Sequence, residues 1–434
     1  MADWSGLPEL LLESIARRLS IADLIRFSCV CTSWRSITLF LKGKLLPWLI
    51  IPCVTSNNPR KKRIGSVCDK NLGIISLSDP TRRVYELDLP EAADRRICGS
   101  SAGWLVTVHA NSEIRLLQPF TRAQIQLPPL TAFPSHLPVP LQQGERFKAF
   151  LRDEYIHKAI VGFCSSESEA MVMAIRREDD QLAFCRPGKD LRWSIFEHRH
   201  HGRSHDVIFY KEQFYTVKES GRIFKVSGLE DASPHMTLVT GRPMMNPSSP
   251  NKPYLVDSLG ELLIVYPNRL YLVESSGELL IIYRFLDSGF PVGEDDEDDD
   301  EDAVVDSDDN WREPARLPYR TINFEVFKLD FAGGKWVEVE NLGDRAVFVG
   351  YNDSFSVSAS EFPGCKGNCI YFTDDYFEGY YRQKHGACDM GIFDLGDRTV
   401  EPLVCGNETQ SFMPPSVWFS MNPWWRGGLD VLTL

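Results

Sequence analysis

The chain has no uninterrupted run of about 18 apolar residues, the length a membrane-crossing helix needs. Its first residues also lack the basic-then-apolar order of a secretory leader. Positive charge is short: 47 Lys and Arg stand against 60 Asp and Glu, a formal net charge of -13. Phosphate backbones and anionic bilayers repel such a chain, so neither nucleic acid nor membrane is expected as the main partner. The 11 cysteines are scattered, mostly inside apolar strings such as FSCVC and VGFCSS. Without a leader they read as reduced and buried, and the expected location is the nucleus, the cytoplasm or both.

Catalytic signatures are missing too. The sequence has no phosphate-binding glycine loop with a lysine, no nucleophile-elbow serine and no paired-histidine metal helix. HRHH at 198–201, followed by His205, lacks a carboxylate or cysteine pair at ligand spacing and reads as a loop. CKGNC, Cys365 to Cys369, has neither the two-residue zinc spacing nor a second pair, and reads as inert thiols around a turn. RKKR at 60–63 fits a short nuclear localisation signal or a linker equally well. The expectation is therefore a non-catalytic protein with no catalytic residue, cofactor or metal site.

Much of the negative charge is local. EDDEDDDED occupies 294–302 and is extended by Asp306, Asp308 and Asp309. Self-repulsion keeps such a run solvated, so a disordered loop at about 293–312 is expected, with a basic docking partner as the alternative. The glycine turn and spaced ligands of a calcium loop are absent from it.

What is present divides unevenly. A length of 434 residues suits a small module plus one large domain, and 43% hydrophobic residues suffice for a sizeable core. The module is LPELLLESIARRLSIADLIRFSCVCTSWRSI, residues 7–37. Pro8 suits a first helical turn, and Leu11, Leu12, Ile15, Ala16 and Leu19 come after it at helical spacing. Ser20 and Asp23 resemble a capping box that starts a second helix through Leu24, Phe27 and Cys31, and Trp34 and Ile37 continue into a third. About 35 residues is too few for a self-sufficient core. Leucines on more than one face must dock, either on the rest of the chain as a helical cap or on another protein.

After Pro47 the helical period gives way to paired apolar runs with turn residues between them. The pattern occurs in IISLSDPTRRVYELDLP from 74, IRLLQPFTRAQIQLPPL from 114 and LAFCRPGKDLRWSIFEH from 182. It returns in IFKVSGLEDASPHMTLV from 223, FEVFKLDFAGGKWVEVENL from 324 and MGIFDLGDRTVEPLV from 390. These are hairpin signatures. Starts at 74, 114, 182 and 223 lie 40, 68 and 41 residues apart; units of about 40 residues suit four-stranded blades, and the wider gap a longer loop or a further blade. The expected class is mainly β: a three-helix module at 1–46, linker and first strand material at 47–73, and a β-propeller-like domain at 74–434. Six blades are expected, seven being the alternative count and a pair of β-sandwiches the alternative fold. Ring closure should pair Leu49–Val54 or Ile74–Leu77 with Val400–Val404 or Val417. In PPSVWFSMNPWW, Trp418, Phe419, Trp424 and Trp425 should pack the seam, unless the last two are exposed binding aromatics.

Two resemblances sit on these residues. Leu7-Pro8, Ile15, Leu19, Asp23-Leu24, Val30-Cys31 and Trp34-Arg35 resemble an F-box over about residues 4–44. That resemblance implies docking to a Skp adaptor and through it to a cullin–RING ubiquitin ligase. The implied adaptor-binding set is Leu7, Pro8, Leu11, Ile15, Leu19, Leu24, Val30, Cys31, Trp34 and Arg35. GWLV at 103, PFTR at 119, LPPL at 127, GELL at 260 and 277, and most of the C-terminal half are similar to plant F-box proteins carrying domain of unknown function 295. Membership implies a substrate-recognition subunit of a Skp–cullin–F-box ligase, with an unknown target protein. The alternatives are a scaffold without substrate delivery and, by fold analogy alone, a propeller hydrolase or oxidase. One departure stands out: YLVDSLGELLIVY at 254 recurs as YLVESSGELLIIY at 271, identical at 10 of 13 positions, where the family pattern has one such segment. It reads as a duplicated hairpin or an extra piece in the gene model.

Overall fold

The computed structural model describes residues 4–16, 18–19, 23, 27, 30–31, 33–34, 36–37, 47–53, 71–77, 79, 82, 84–119, 121–134, 151–164, 169–176, 181–196, 202–229, 234–241, 243, 254–258, 261–265, 267–287, 319–362, 364–375, 389–403 and 416–420. The acidic run, RKKR, HRHH, Leu24, Arg35 and Trp424–Trp425 lie outside them.

Six sheets of four or five strands succeed one another along the chain. Blade one takes β1 (Trp48–Cys53), β2 (Asn71–Ser76) and β3 (Val84–Leu87). Blade two is β4 (Arg95–Ser101), β5 (Trp104–His109), β6 (Ile114–Leu117) and β7 (Gln124–Leu127). Blade three is β8 (Ile156–Cys164), β9 (Glu169–Arg176), β10 (Gln181–Cys185) and β11 (Ser194–Ile195). Blade four is β12 (Ser204–Tyr210), β13 (Gln213–Lys218), β14 (Ile223–Ser227) and β15 (His235–Thr240). A two-stranded sheet, β16 (Tyr254–Ser258) and β17 (Glu261–Val265), intervenes. Blade five is β18 (Pro267–Ser275), β19 (Glu278–Asp287), β20 (Arg320–Asp330) and β21 (Lys335–Glu338). Blade six holds β22 (Arg345–Val349), β23 (Phe355–Ser358), β24 (Cys369–Phe372), β25 (Gly391–Asp394) and β26 (Thr399–Pro402).

The last strand, β27 (Val417–Phe419), returns to blade one and pairs with β1, Trp48 opposite Phe419 and Ile50 opposite Val417. Of the closures expected, this is the one formed; Val400–Pro402 instead belongs to β26, at the outer edge of blade six. Trp418 and Phe419 are fully buried at the seam. The six expected hairpins are the outer strand pairs of the six blades, as in β2–β3 and β25–β26. Among the described residues each turn between them carries one residue at positive φ, and three of those are arginines: Arg82, Arg122 and Arg398. Outer strands such as β7, β15 and β21 alternate or are exposed, whereas β4 is buried at every position.

Six apolar clusters lie between successive blades. Ile74 meets Ile97, Val106 meets Val172, and Met173 meets Val207. Val217 meets Leu272, Ile282 meets Val347, and Phe348 with Tyr371 meets Leu49 and Trp418. Every blade is thus covered on both faces, which a ring achieves and a pair of sandwiches does not. Blade six is irregular: β22 pairs with β24 in parallel, and β23 is added at its inner edge.

Candidate functional site

The N-terminal module opens with a single 3-10 turn, Trp4–Gly6, and then α1, Glu9–Ala16. Pro8 stands just before α1, and its carbonyl accepts from Leu11 N–H and Leu12 N–H at 3.0 and 3.1 Å. Leu12 and Ala16, one helical turn apart, are buried with Phe27 and Ile37, and Leu7, Leu19 and Trp34 pack against that small core. Phe27 and Trp34 stack at 4.3 Å, while Trp34 Nε1 donates to the Trp4 carbonyl at 3.1 Å. A second apolar stripe faces outward: Leu11 is 53% exposed, Ile15 41% and Leu10 80%. Trp4 and Val30 add 64% and 59%.

The residues expected to hold an adaptor therefore divide. Pro8, Leu11, Ile15 and Val30 are exposed, Cys31 is half-buried, and Leu7, Leu19 and Trp34 are shared with the module's own core. Leu10 and Trp4 were not in that set and are the most exposed apolar side chains among the described residues of the module. Leu10 sits beside Leu11 and Leu12 in a run of three leucines, in which one helical face cannot bury all three.

The second candidate region is the inner edge of the ring, where consecutive inner strands are joined by polar side chains. Ser101 of β4 donates to the Val161 carbonyl of β8, and Lys158 of β8 meets Asp206 of β12 at 2.5 Å. Asp206 also accepts from Leu272 N–H of β18, and Ser356 of β23 reaches the Glu274 carbonyl. Asp353, in the turn between β22 and β23, links blade six to blade two, past β27 of blade one, through Ser101 Oγ and the Ser100 carbonyl. Burial raises the Asp206 carboxyl, opposed by the Lys158 ammonium and two backbone N–H groups. Burial likewise pushes Asp353 up to about 7.

Arg284 of β19 is fully buried where blades five and six meet. Its Nε donates to Thr321 Oγ1, and Nη1 reaches Tyr271 Oη, the Thr373 carbonyl and Asp375 Oδ1. Nη2 takes the Asp389 carbonyl and carboxylate, while Asp374 accepts from Tyr319 Oη and Asp389 N–H. Burial opposes the guanidinium's charge, but Tyr271, Asp389 and Asp375 outweigh it and hold the group protonated. Asp374 is pushed up to about 6 by burial and by Asp389. These groups satisfy one another across a blade junction; their arrangement is structural.

Cys365 and Cys369 are free thiols, raised by burial to about 12 and about 11, so neither is a thiolate near neutral pH. Their KGN insert is a turn: Lys366 N–H donates to Tyr371 Oη, and Asn368, at φ 56, accepts from Leu342 N–H. Among the described residues no group of three or more His, Cys, Asp or Glu is placed to hold a metal ion.

The same two-part organisation is found in known proteins. The F-box domain model matches residues 4–44, and the KIB1-4 beta-propeller model matches residues 74–394. The chain is 26% identical to the F-box protein SKIP23 of Arabidopsis thaliana over 441 residues, covering 97% of this chain and 96% of that one. It is 27% identical to the putative F-box protein At1g65770 of the same plant, over 89% of this chain and 93% of the other. A shorter stretch of 101 residues is 39% identical to the F-box protein At2g17690 of Arabidopsis thaliana, covering 23% of this chain and 22% of that one. F-box proteins are typically non-catalytic adaptors, and the domain implies Skp binding within a ubiquitin ligase complex. A closed six-bladed ring behind an N-terminal F-box makes this chain a member of the KIB1-4 beta-propeller family.

Proposed function

We propose that the protein is the substrate-recognition subunit of a Skp–cullin–F-box ubiquitin ligase, of the plant group carrying domain of unknown function 295. The F-box holds the adaptor and the propeller holds a target protein. The observation that carries the reading is the outward stripe of α1, where Leu10, Leu11 and Ile15 stay exposed although Leu12 and Ala16 complete the module's core. Burying a side chain of this size gives roughly 1.5–3 kcal/mol, so the stripe has substantial free energy to gain from a partner helix.

The chain itself transfers no ubiquitin; its contribution is to hold a target lysine near a charged conjugating enzyme, raising the effective concentration of the reacting groups. It works in the nucleus, the cytoplasm or both, on a protein target, with nucleic acid and membrane as no part of its recognition. The test is affinity purification of the full chain with cullin activity blocked, beside a form lacking residues 1–46. The adaptor should be lost from the truncated form while target proteins remain on both. Recovery of the adaptor on the truncated form would refute the assignment.

A further inference from the structure

The duplication extends beyond the hairpin itself. Residues 250–266, PNKPYLVDSLGELLIVY, run without a gap into residues 267–283, PNRLYLVESSGELLIIY, and 12 of 17 positions are identical. Both copies fold as hairpins in one register. Tyr254 faces Val265 and Ser258 faces Glu261, just as Tyr271 faces Ile282 and Ser275 faces Glu278. Only the second copy is built into the ring; β16 and β17 form a sheet of their own.

The interior of blade five separates the copies only slightly. Between Leu270 and Tyr283 two buried apolar positions differ in the first copy: Pro253 stands for Leu270 and Val265 for Ile282. The second is one methylene, a small loss, and the first lies near the start of β18, an edge strand of its sheet, where proline is tolerated. The first copy also has Leu259 in place of Ser276, which takes φ 53 in the exposed turn, a modest strain for leucine.

The residue after each copy does separate them. The second copy runs into Arg284, which pairs with Phe324 inside blade five and neutralises Asp375 and Asp389. The first runs into Pro267. Proline at that ladder position has no N–H, its ring is excluded from a central strand, and it deprives both carboxylates of the guanidinium.

We propose that blade five has two tandem occupants available for its inner hairpin and that Arg284 decides between them. Copy 250–266 fits the position and is kept out because Pro267, not an arginine, comes next.

Two deletions of the full chain test this. Removing 250–266 leaves the seated copy intact, and removing 267–283 joins Tyr266 directly to Arg284. Both proteins should unfold in a single cooperative thermal transition, the second a few degrees below the first. In the 267–283 deletion, Arg284→Pro restores the natural Tyr–Pro junction and should abolish that transition. Arg284→Met in the same background keeps the N–H and should still melt well below its parent. The proposal is overturned if the 267–283 deletion fails to fold while the other folds, because the first copy then does not fit. Collapse of the 250–266 deletion overturns it as well, since that copy would be an integral part of the ring. If Arg284→Met melts with its parent, the guanidinium is not what selects.

Discussion

Replacing Arg284 by methionine isolates the charge at the junction of blades five and six. The side chain is fully buried, and the substitution keeps most of its aliphatic volume while deleting the cation that bridges Asp375 and Asp389. Removing one partner of a buried ion pair leaves an uncompensated charge, which costs about 3–5 kcal/mol. Scaling from smaller domains, each kcal/mol moves the midpoint of a unit this large by roughly 1–2 °C, so a drop of about 3–10 °C is expected near pH 7. Thermal unfolding monitored by tryptophan fluorescence would report it, since Trp193 and Trp418 are fully buried. The deficit should shrink at pH 5, because the neighbouring Asp374 then adds less negative charge to the junction that has lost its cation. Asp374, already raised to about 6, begins to take up its proton in that range. A methionine variant that melts within a degree of the parent at both pH values would refute the claim that this junction depends on its cation.

The same structure sets three other outcomes. Leu10→Asp combined with Ile15→Asp should cut adaptor capture by at least about tenfold, the effect of a loss near 1.4 kcal/mol, with the propeller's melting point unchanged; normal capture would remove the role assigned to the outward stripe. The Asp353 carboxyl is raised to about 7 by burial, against about 4 in an unfolded chain, so the folded state binds the extra proton. Its contribution to stability is full below about pH 4 and is lost as the pH climbs through 7. Asp353→Asn should flatten that part of the slope in urea midpoints taken from pH 4 to 8, and an unaltered slope would assign it elsewhere. Ending the chain after Pro415 removes β27, exposes β1 and should give aggregated protein on size exclusion; a monomer with a cooperative melt would show that the ring closes without it.

The outer half of every blade was legible because its chemistry is local. TRR, TRA and DRT put arginines in the turns at positive φ, and the strands beside them alternate. The inner strands gave no such signal. RRICGSS, IHKAIVGFC and SHDVIFY mix charge with apolar residues, because one face meets a neighbouring blade and the other meets the polar stitching of the ring. Asp206 accepting from Lys158, 48 positions before it, and from Leu272 N–H, 66 positions after it, joins three blades, a span no short window contains. The F-box anchors were legible as a pattern. Leu7, Leu19 and Trp34 lean on Leu12, Ala16 and Phe27, whereas Leu11 and Ile15 face out, a division that depends on how the helices pack. Spacing could not locate the extra hairpin either, since both copies carry the same strand signature and differ at the junction, Pro267 after one and Arg284 after the other.

The pairing of β1 with β27 sets an order of events during synthesis. Cys53 and Val417 are 364 positions apart, and blade one lacks its innermost strand until the second of them leaves the ribosome. At about 5–20 residues per second, that interval lasts roughly 20–70 s. Throughout it the F-box is already outside, with an unfinished blade immediately behind it. On the function proposed above, a nascent chain therefore offers its adaptor-facing helix before it has a complete surface with which to choose a target.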